Sequence, residues 1–425
     1  MKQVWLVGMI WVAGCTADVD VVEVKVDDVD TQAIEATEVQ HTPSSYSTTG
    51  YQSVSAGEYH TLALRNDGRV YAAGKNANGE LGNGTQTPTY EGTPTQVVGL
   101  SGVTAVAAGC DHSLALKSTG EVWGWGYNNR GQLGATGLTR QLTPVKVPGL
   151  PAMKAIAVGC AHSMGLDMNG YVWTWGYNLY GQAGNGTAGT TSAPYRITSF
   201  VASAIDAGES FSLALRTDGT VMAWGNNTYG QLARGNTTSS TLPVATLLTG
   251  ISGISAGANH GMAIKNGADI VAWGSNAQGA IGAGSTTSTV SSPVIVGHGY
   301  WWGLGSGFFS AGRSFNLVAT GDGFGPPLPG WTLFDWGANS YGQLGIGTTT
   351  STPQIVSGGR YSNNSFDMVF VGSGYEGQLL VSAGGYHSAA IDNNGQVVAW
   401  GRNLFGQLGN GTTSDATWAR VTLFP

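Results

Sequence analysis

Trp400-Gly401-Arg402-Asn403-Leu404-Phe405-Gly406-Gln407-Leu408-Gly409 is the stretch around which this chain is built, because versions of it recur seven times between Gln52 and Pro425. The copies align on a Gly-x-Asn-x-x-Gly frame: Gly74/Asn76/Gly79, Gly126/Asn128/Gly131, Gly176/Asn178/Gly181, Gly225/Asn227/Gly230, Gly274/Asn276/Gly279, Gly337/Asn339/Gly342 and Gly401/Asn403/Gly406. Trp125, Trp175, Trp224, Trp273, Trp336 and Trp400 precede the first Gly in six copies, and Ala73 does so in the first. An apolar residue, from Leu81 to Leu408, follows two positions after the last Gly. Gly suits backbone of positive φ or close approach, Asn closes a turn through its amide, and Trp and Leu fill the space between units.

A second motif, Ala-Gly-x-x-His-Ser-x-Ala-Leu, runs in register with the first, with its Gly at 57, 109, 159, 208, 257, 312 and 384. From that Gly to the Gly after the Trp is 17 residues in six copies and 25 in the sixth. Tight-turn pairs such as Asn169-Gly170 and Asp218-Gly219 lie between, so the two motifs read as the arms of a hairpin. A strand ending at Ala-Gly and another through segments such as Pro144-Val145-Lys146-Val147 complete the unit. Four strands in a period of about 50 residues is the arithmetic of a propeller blade, and seven copies predict seven blades.

These paired motifs resemble the regulator of chromosome condensation repeat family. The resemblance covers roughly residues 51 to 425 and implies an all-β, seven-bladed propeller with four antiparallel strands per blade. It fixes no activity, since such folds host unrelated functions.

Outside the repeats the chain changes character. Residues 1–14 read as a lipoprotein-type signal: one Lys, an apolar run from Val4 to Ala13, and Val12-Ala13-Gly14-Cys15, which looks like a bacterial lipobox. Lipidation of Cys15, palmitate included, would anchor the chain to a membrane without spanning it. Residues 15–50 carry eight acids and one base ahead of a Ser/Thr-rich run, and read as a disordered tether to the 51–425 propeller. The expected location is exported, on the outer membrane or cell surface. Net charge is −7, with 18 Lys and Arg spread thinly, which disfavours nucleic acid as a partner.

Cys110 and Cys160 occupy one position in adjacent units. Equivalent positions in neighbouring blades can exceed the ~7 Å Cα separation a disulfide tolerates, so two buried thiols are expected, with an inter-blade bridge as the alternative. Five histidines, His60, His112, His162, His260 and His387, share another position, which Phe211 and Phe315 take in units four and six. A ring of imidazoles spread around an axis does not converge on a metal, so each is read as closing a turn by hydrogen bonding. No nucleophile with a base, carboxylate pair or phosphate-cradling loop stands out, and neither enzyme activity nor a cofactor is expected.

Three lengthened connections fall in units five to seven, near 297–308, 321–330 and 357–378. Strand alternation puts all three at the end of the blades opposite the Ala-Gly and Gly-Gln-Leu-Gly turns. They hold Tyr300, Trp301, Trp302, Phe308, Phe324, Trp331, Tyr361, Phe366 and Tyr375, residue types enriched at recognition hot spots. The opposite end, with seven near-identical turns, offers no asymmetric feature. The expectation is therefore a monomeric, membrane-anchored, non-catalytic propeller that binds a protein or glycan through its aromatic inserts. The alternatives are an inhibitor of a secreted enzyme, similar to propellers of this family that cap β-lactamases, and a guanine-nucleotide exchange regulator of a small GTPase, which an export signal disfavours.

Overall fold

The computed structural model describes residues 50–425, apart from 87–90, 136–138, 268, 285–286, 298–308, 322–330, 358–380 and 393–394. Seven four-stranded antiparallel sheets succeed one another along the chain, at 51–96, 103–146, 153–197, 204–245, 251–297, 309–357 and 381–421. Strand order within each sheet is chain order, so every blade is a meander. The first strands ring the axis, where their Ala-Gly ends line one common cavity. Among the described residues the helical content is one 3-10 turn, Ala277–Gly279.

Burial follows position in the blade. The second and third strands are covered on both faces by neighbouring blades, so His60–Arg65 and Val70–Gly74 are buried almost throughout. The fourth strand faces solvent, and Arg140–Lys146 is half-buried or exposed along its length. The core is a series of wedges between blades. Trp125 of blade two packs with Leu62, Leu64, Ala72 and Leu81 of blade one, and Trp400 of blade seven with Leu317 and Leu344 of blade six.

Two glycines show why the motifs are invariant along the chain. Gly126, at φ +92°, turns out of the third strand where a Cβ would lie 2.6 Å from the Asp111 carbonyl oxygen. At Gly57 a Cβ would meet the Gly109 carbonyl oxygen of the next blade at 2.5 Å and the ring of His60 at 2.9 Å. One Gly lets a turn fold against its own blade; the other lets two blades approach.

The ring closes without exchanging strands between its ends. Ala416–Val421 pairs with Val397–Gly401 and is the outer strand of blade seven. Gly385 N–H donates to the Gly57 carbonyl at 2.9 Å across the closing seam. Blade one has Ala73 where the others carry Trp, and Phe424 takes the place of the missing ring. The last Gly of the turn motif faces the next blade's Trp at Gly82, Gly184 and Gly282; the same position in blade seven, Gly409, faces Phe424. Phe424 packs 6.0 Å from the ring of Tyr51, whose hydroxyl donates to the Pro425 carbonyl at 2.6 Å.

The long connections leave from the ends the strand pattern predicts. Thr289–Gly297 and Phe309–Ala311 flank the first, Gly321 pairs with Trp331 at the mouth of the second, and Thr352–Ser357 and Val381–Ala383 flank the third.

Candidate functional site

Each blade is fastened to the next through the carbonyl of one residue, the Gln of Gly-Gln-Leu-Gly or its substitute. The indole N–H groups of Trp125, Trp175, Trp224, Trp273, Trp336 and Trp400 donate to the carbonyls of Glu80, Gln132, Gln182, Gln231, Ala280 and Gln343 at 2.7–3.0 Å. All six Trp side chains are fully buried. The hydroxyls of Ser113, Ser163, Ser212 and Ser388 donate to four of the same carbonyls.

A serine whose single proton is given to a carbonyl can only accept from the imidazole beside it. His60, His112 and His162 therefore donate Nε2–H to Ser113, Ser163 and Ser212 at 2.8–3.0 Å. His387 donates to Thr61 across the closing seam and His260 to the Asn316 amide oxygen, both at 2.8 Å. The histidines thus join adjacent blades, where the sequence suggested a turn closed within one blade. Burial pushes their pKa down to about 3 for His60, His162 and His387 and about 4 for His112 and His260. Phe211 and Phe315, both fully buried, take the place of the imidazole in blades four and six, where the next blade carries Gly261 and Ser388 at the acceptor position.

The first strands are latched in a second way. Backbone N–H groups of Ala108, Ala311, Ala383 and Ala56 donate to Ser55, Ser255, Ser310 and Ser382 of the preceding blade at 2.9–3.0 Å. Asp206 accepts from Ala256 across one seam and from its own neighbour Ala207, and burial pushes its carboxyl up to about 6. Blade three has Ala157 at the latch position, with no acceptor to offer blade four, and blade two has Ala107, with none to offer blade three. At the seam of blades two and three Cys110 and Cys160 form a disulfide, with Cα atoms 4.6 Å apart. The expectation of two buried thiols is corrected: equivalent residues lie close because the inner strands converge on the axis, and both cysteines are half-exposed at the channel mouth. That mouth is a cavity of about 100 Å³ ringed by six Ala-Gly turns and Val158-Gly159, with Glu58, Glu209 and Arg313 also in its lining.

Around the mouth the variable positions of the two turn motifs gather into a patch. Tyr59 and Tyr386 stack with centroids 5.9 Å apart, Phe405 meets Tyr59 edge-on at 5.1 Å, and Tyr341 meets Tyr386 at 5.6 Å. The Arg402 guanidinium lies over Tyr341 and Tyr386 at 4.6 and 5.2 Å. Arg313 covers Tyr386 at 5.5 Å and pairs with Glu58 at 2.9 Å; Lys75 covers Tyr59 at 5.3 Å and pairs with Asp111 at 2.5 Å. Leu404, Tyr180, Leu179 and Tyr229 stand exposed in turns on the same end. The expectation that this end lacks an asymmetric feature is overturned. The frame residues repeat, but the positions between them do not, and blades six, seven and one place aromatics and cations there.

The aromatic inserts divide differently. Tyr300, Trp301, Trp302, Phe308, Phe324, Tyr361, Phe366 and Tyr375 lie outside the described residues, as does Cys15; Trp331 opens the third strand of blade six. One buried group escaped sequence reading: both carboxyl oxygens of Asp335 lack a hydrogen-bond partner, and burial pushes its pKa up to about 8. Other blades hold small residues such as Ala72, Ala223 and Ala272 at that place, which was the available signal. No helix among the described residues is long and apolar enough to cross a membrane.

A closed ring of seven meander blades, with a constant frame and variable turn residues at one mouth, defines a repeat-built propeller scaffold. The chain belongs to the RCC1-like domain family, whose profile matches residues 7–324; two further matches to the regulator of chromosome condensation (RCC1) repeat cover 332–391 and 380–407. Among curated proteins it is 48% identical over 83 residues to the probable E3 ubiquitin-protein ligase HERC3 of Homo sapiens, covering 19% of this chain and 8% of that one. It is 43% identical over 91 residues to the RCC1 domain-containing protein RUG3, mitochondrial, of Arabidopsis thaliana, covering 21% and 20%. The matches thus span a fifth or less of these relatives. Prp20p from Saccharomyces cerevisiae, studied for its binding to Gsp1p and histones, shares the fold at a TM-score of 0.69 and 22% identity, covering 88% of this chain and 87% of that one. Human WBSCR16 does so at 0.67 and 21%, covering 84% and 95%.

Proposed function

We propose that this chain is a non-catalytic binding protein, held at a membrane outside the cytoplasm by a lipid on Cys15, that presents a propeller face to a protein or glycan partner. The observation that carries the reading is the patch of Tyr59, Tyr341, Tyr386, Phe405 and Arg402 on the turn end of blades six, seven and one. Tyr and Arg stacked in advance on a rigid frame lose little conformational freedom on binding, which is the property of interface anchors. Relatives whose names speak of ligation or of binding to Gsp1p and histones agree with protein recognition by this scaffold, but their activities are not carried over.

The aromatic inserts at the opposite end support a second placement of the same function, because three lengthened connections leave from that end alone. Crosslinking on intact cells followed by copurification distinguishes the two. Capture lost in Arg402→Glu and kept in Trp301→Ala/Trp302→Ala places the partner on the turn end, and the reverse places it on the inserts. Capture unaffected by either removes both. Fatty-acid labelling of wild type but not of Cys15→Ala tests the anchor, and equal labelling of both rejects it.

A further inference from the structure

We propose that the Cys110–Cys160 bridge is the oxidised state of a redox-gated metal site, in which the two thiolates and the Glu58 carboxylate bind one thiophilic divalent cation at the channel mouth. The three residues come from three consecutive blades, and their sulfur and oxygen atoms all lie within 4.8 Å of one another. Ligands of a tetrahedral zinc-type ion with metal–sulfur bonds of about 2.3 Å sit roughly 3.8 Å apart, so sub-ångström to ångström shifts bring these atoms into place. All three residues are half-exposed and line the open cavity, which gives the ion an entry path and leaves a fourth position to water.

The seam has room for this change. It joins the one pair of neighbouring first strands latched by the bridge itself, so the sulfurs can separate without breaking a Ser-to-amide bond of the kind found at Ser55 or Ser382. Glu58 and Glu209 give the mouth two carboxylates against one Arg313, a balance that favours a cation. Arg313 holds Glu58 in the oxidised protein and is the group the ion would displace. The chemistry balances with a thiol as reductant. Two thiols supply two electrons and two protons, the Cys110–Cys160 bond breaks to give two Cys thiols, and the donor leaves as its own disulfide. Metal binding then releases the two thiol protons to solvent.

The test uses Cys15→Ala protein, so that Cys110 and Cys160 are the only cysteines left of three. It is reduced with a phosphine under anaerobic conditions, freed of reductant and titrated with cadmium. The expected result is one equivalent bound, read by the thiolate-to-metal absorbance, with native tryptophan fluorescence retained and no binding before reduction. Adding Cys110→Ser abolishes the absorbance, and adding Glu58→Gln weakens binding at least tenfold. Three results overturn the proposal: no stoichiometric absorbance after reduction, loss of the native fluorescence on reduction alone, or binding in the Glu58→Gln protein as tight as in its parent. A Cys110→Ser/Cys160→Ser protein with native fluorescence shows that the fold does not depend on the bridge, and an unfolded one counts against the proposal.

Discussion

Acid should open this propeller through its buried histidines, and one substitution should remove a defined share of the effect. His60, His112, His162, His260 and His387 stay neutral when folded down to about pH 3–4, whereas the unfolded chain protonates them below the ordinary 6.5. Because the folded pKa is the lower one, the unfolded state binds more protons between these limits. Their contribution to stability is whole above pH 6.5 and is lost as pH falls toward 4. From about pH 7.5 to about pH 5, each imidazole accounts for a loss of about 2 kcal/mol, and five for about 10. Asp206 and Asp335, pushed up to about 6 and about 8, act with the opposite sign: the folded state takes up their protons first, so acidification recovers about 4 to 5 kcal/mol over the same span. The perturbation is His112→Phe. Blade six shows that the site accepts it, since Phe315 stands at that position while Ser388 still donates to the Gln343 carbonyl at 2.7 Å. Urea unfolding followed by tryptophan fluorescence, at both pH values, should show the acid-induced loss reduced by about 2 kcal/mol relative to wild type, with the urea dependence unchanged. An identical pH span in the two proteins would refute the assignment of a buried neutral imidazole coupled to folding.

Other outcomes follow from single positions. Asp335→Asn should flatten the alkaline side of the stability profile: the wild type loses about 1.4 kcal/mol per pH unit as pH rises toward 8, and the asparagine protein does not, as thermal melts between about pH 6 and 9 will show. Trp400→Ala should cost about 3 to 5 kcal/mol by opening a cavity between blades six and seven, and an unchanged melting temperature would mean the wedge is not closed there. Phe424→Ala should destabilise by a comparable amount if the ring fills the place of the absent blade-one tryptophan; a negligible change in urea midpoint would contradict that role.

Blade number, strand count and the ends from which the inserts leave were legible because they depend on local signals: turn dipeptides, a fixed spacing of 17 residues and a repeated Trp-Gly. What joins the blades was not. His112 and Ser163 sit 51 residues apart, and only the closed ring makes them partners. The Cys110–Cys160 bridge was misjudged for the same reason: the sequence gives the period of a repeat but not the radius at which its members stand, and near the axis that radius is small. Ala73 registered as a departure from the pattern, yet its complement, Phe424, lies at the other end of the chain. The patch around Arg402 is not legible in the repeat frame, because it is made by the positions that vary between units.

This division between frame and variable positions bears on how such a scaffold acquires a partner. Frame residues have no freedom: Gly126 faces a carbonyl oxygen at 2.6 Å, Asn403 bonds Leu408 N–H at 2.9 Å and Gln407 bonds Phe405 N–H at 2.9 Å, so each turn is held by its own repeat. The side chains between them, those of Arg402, Leu404 and Phe405 in this unit, make none of these turn-holding bonds, and Leu404 stands exposed. Substitution there changes what the mouth of the ring presents without changing how the ring is built. Neighbouring blades bring such positions within 5–6 Å of one another, as Tyr341, Arg402 and Tyr386 show, so a few changes in adjacent units make one continuous surface. An Arg402→Glu protein should therefore melt with the wild type while losing capture of its partner. A fall in melting temperature matching the loss of capture would mean that the stacked guanidinium serves the fold instead.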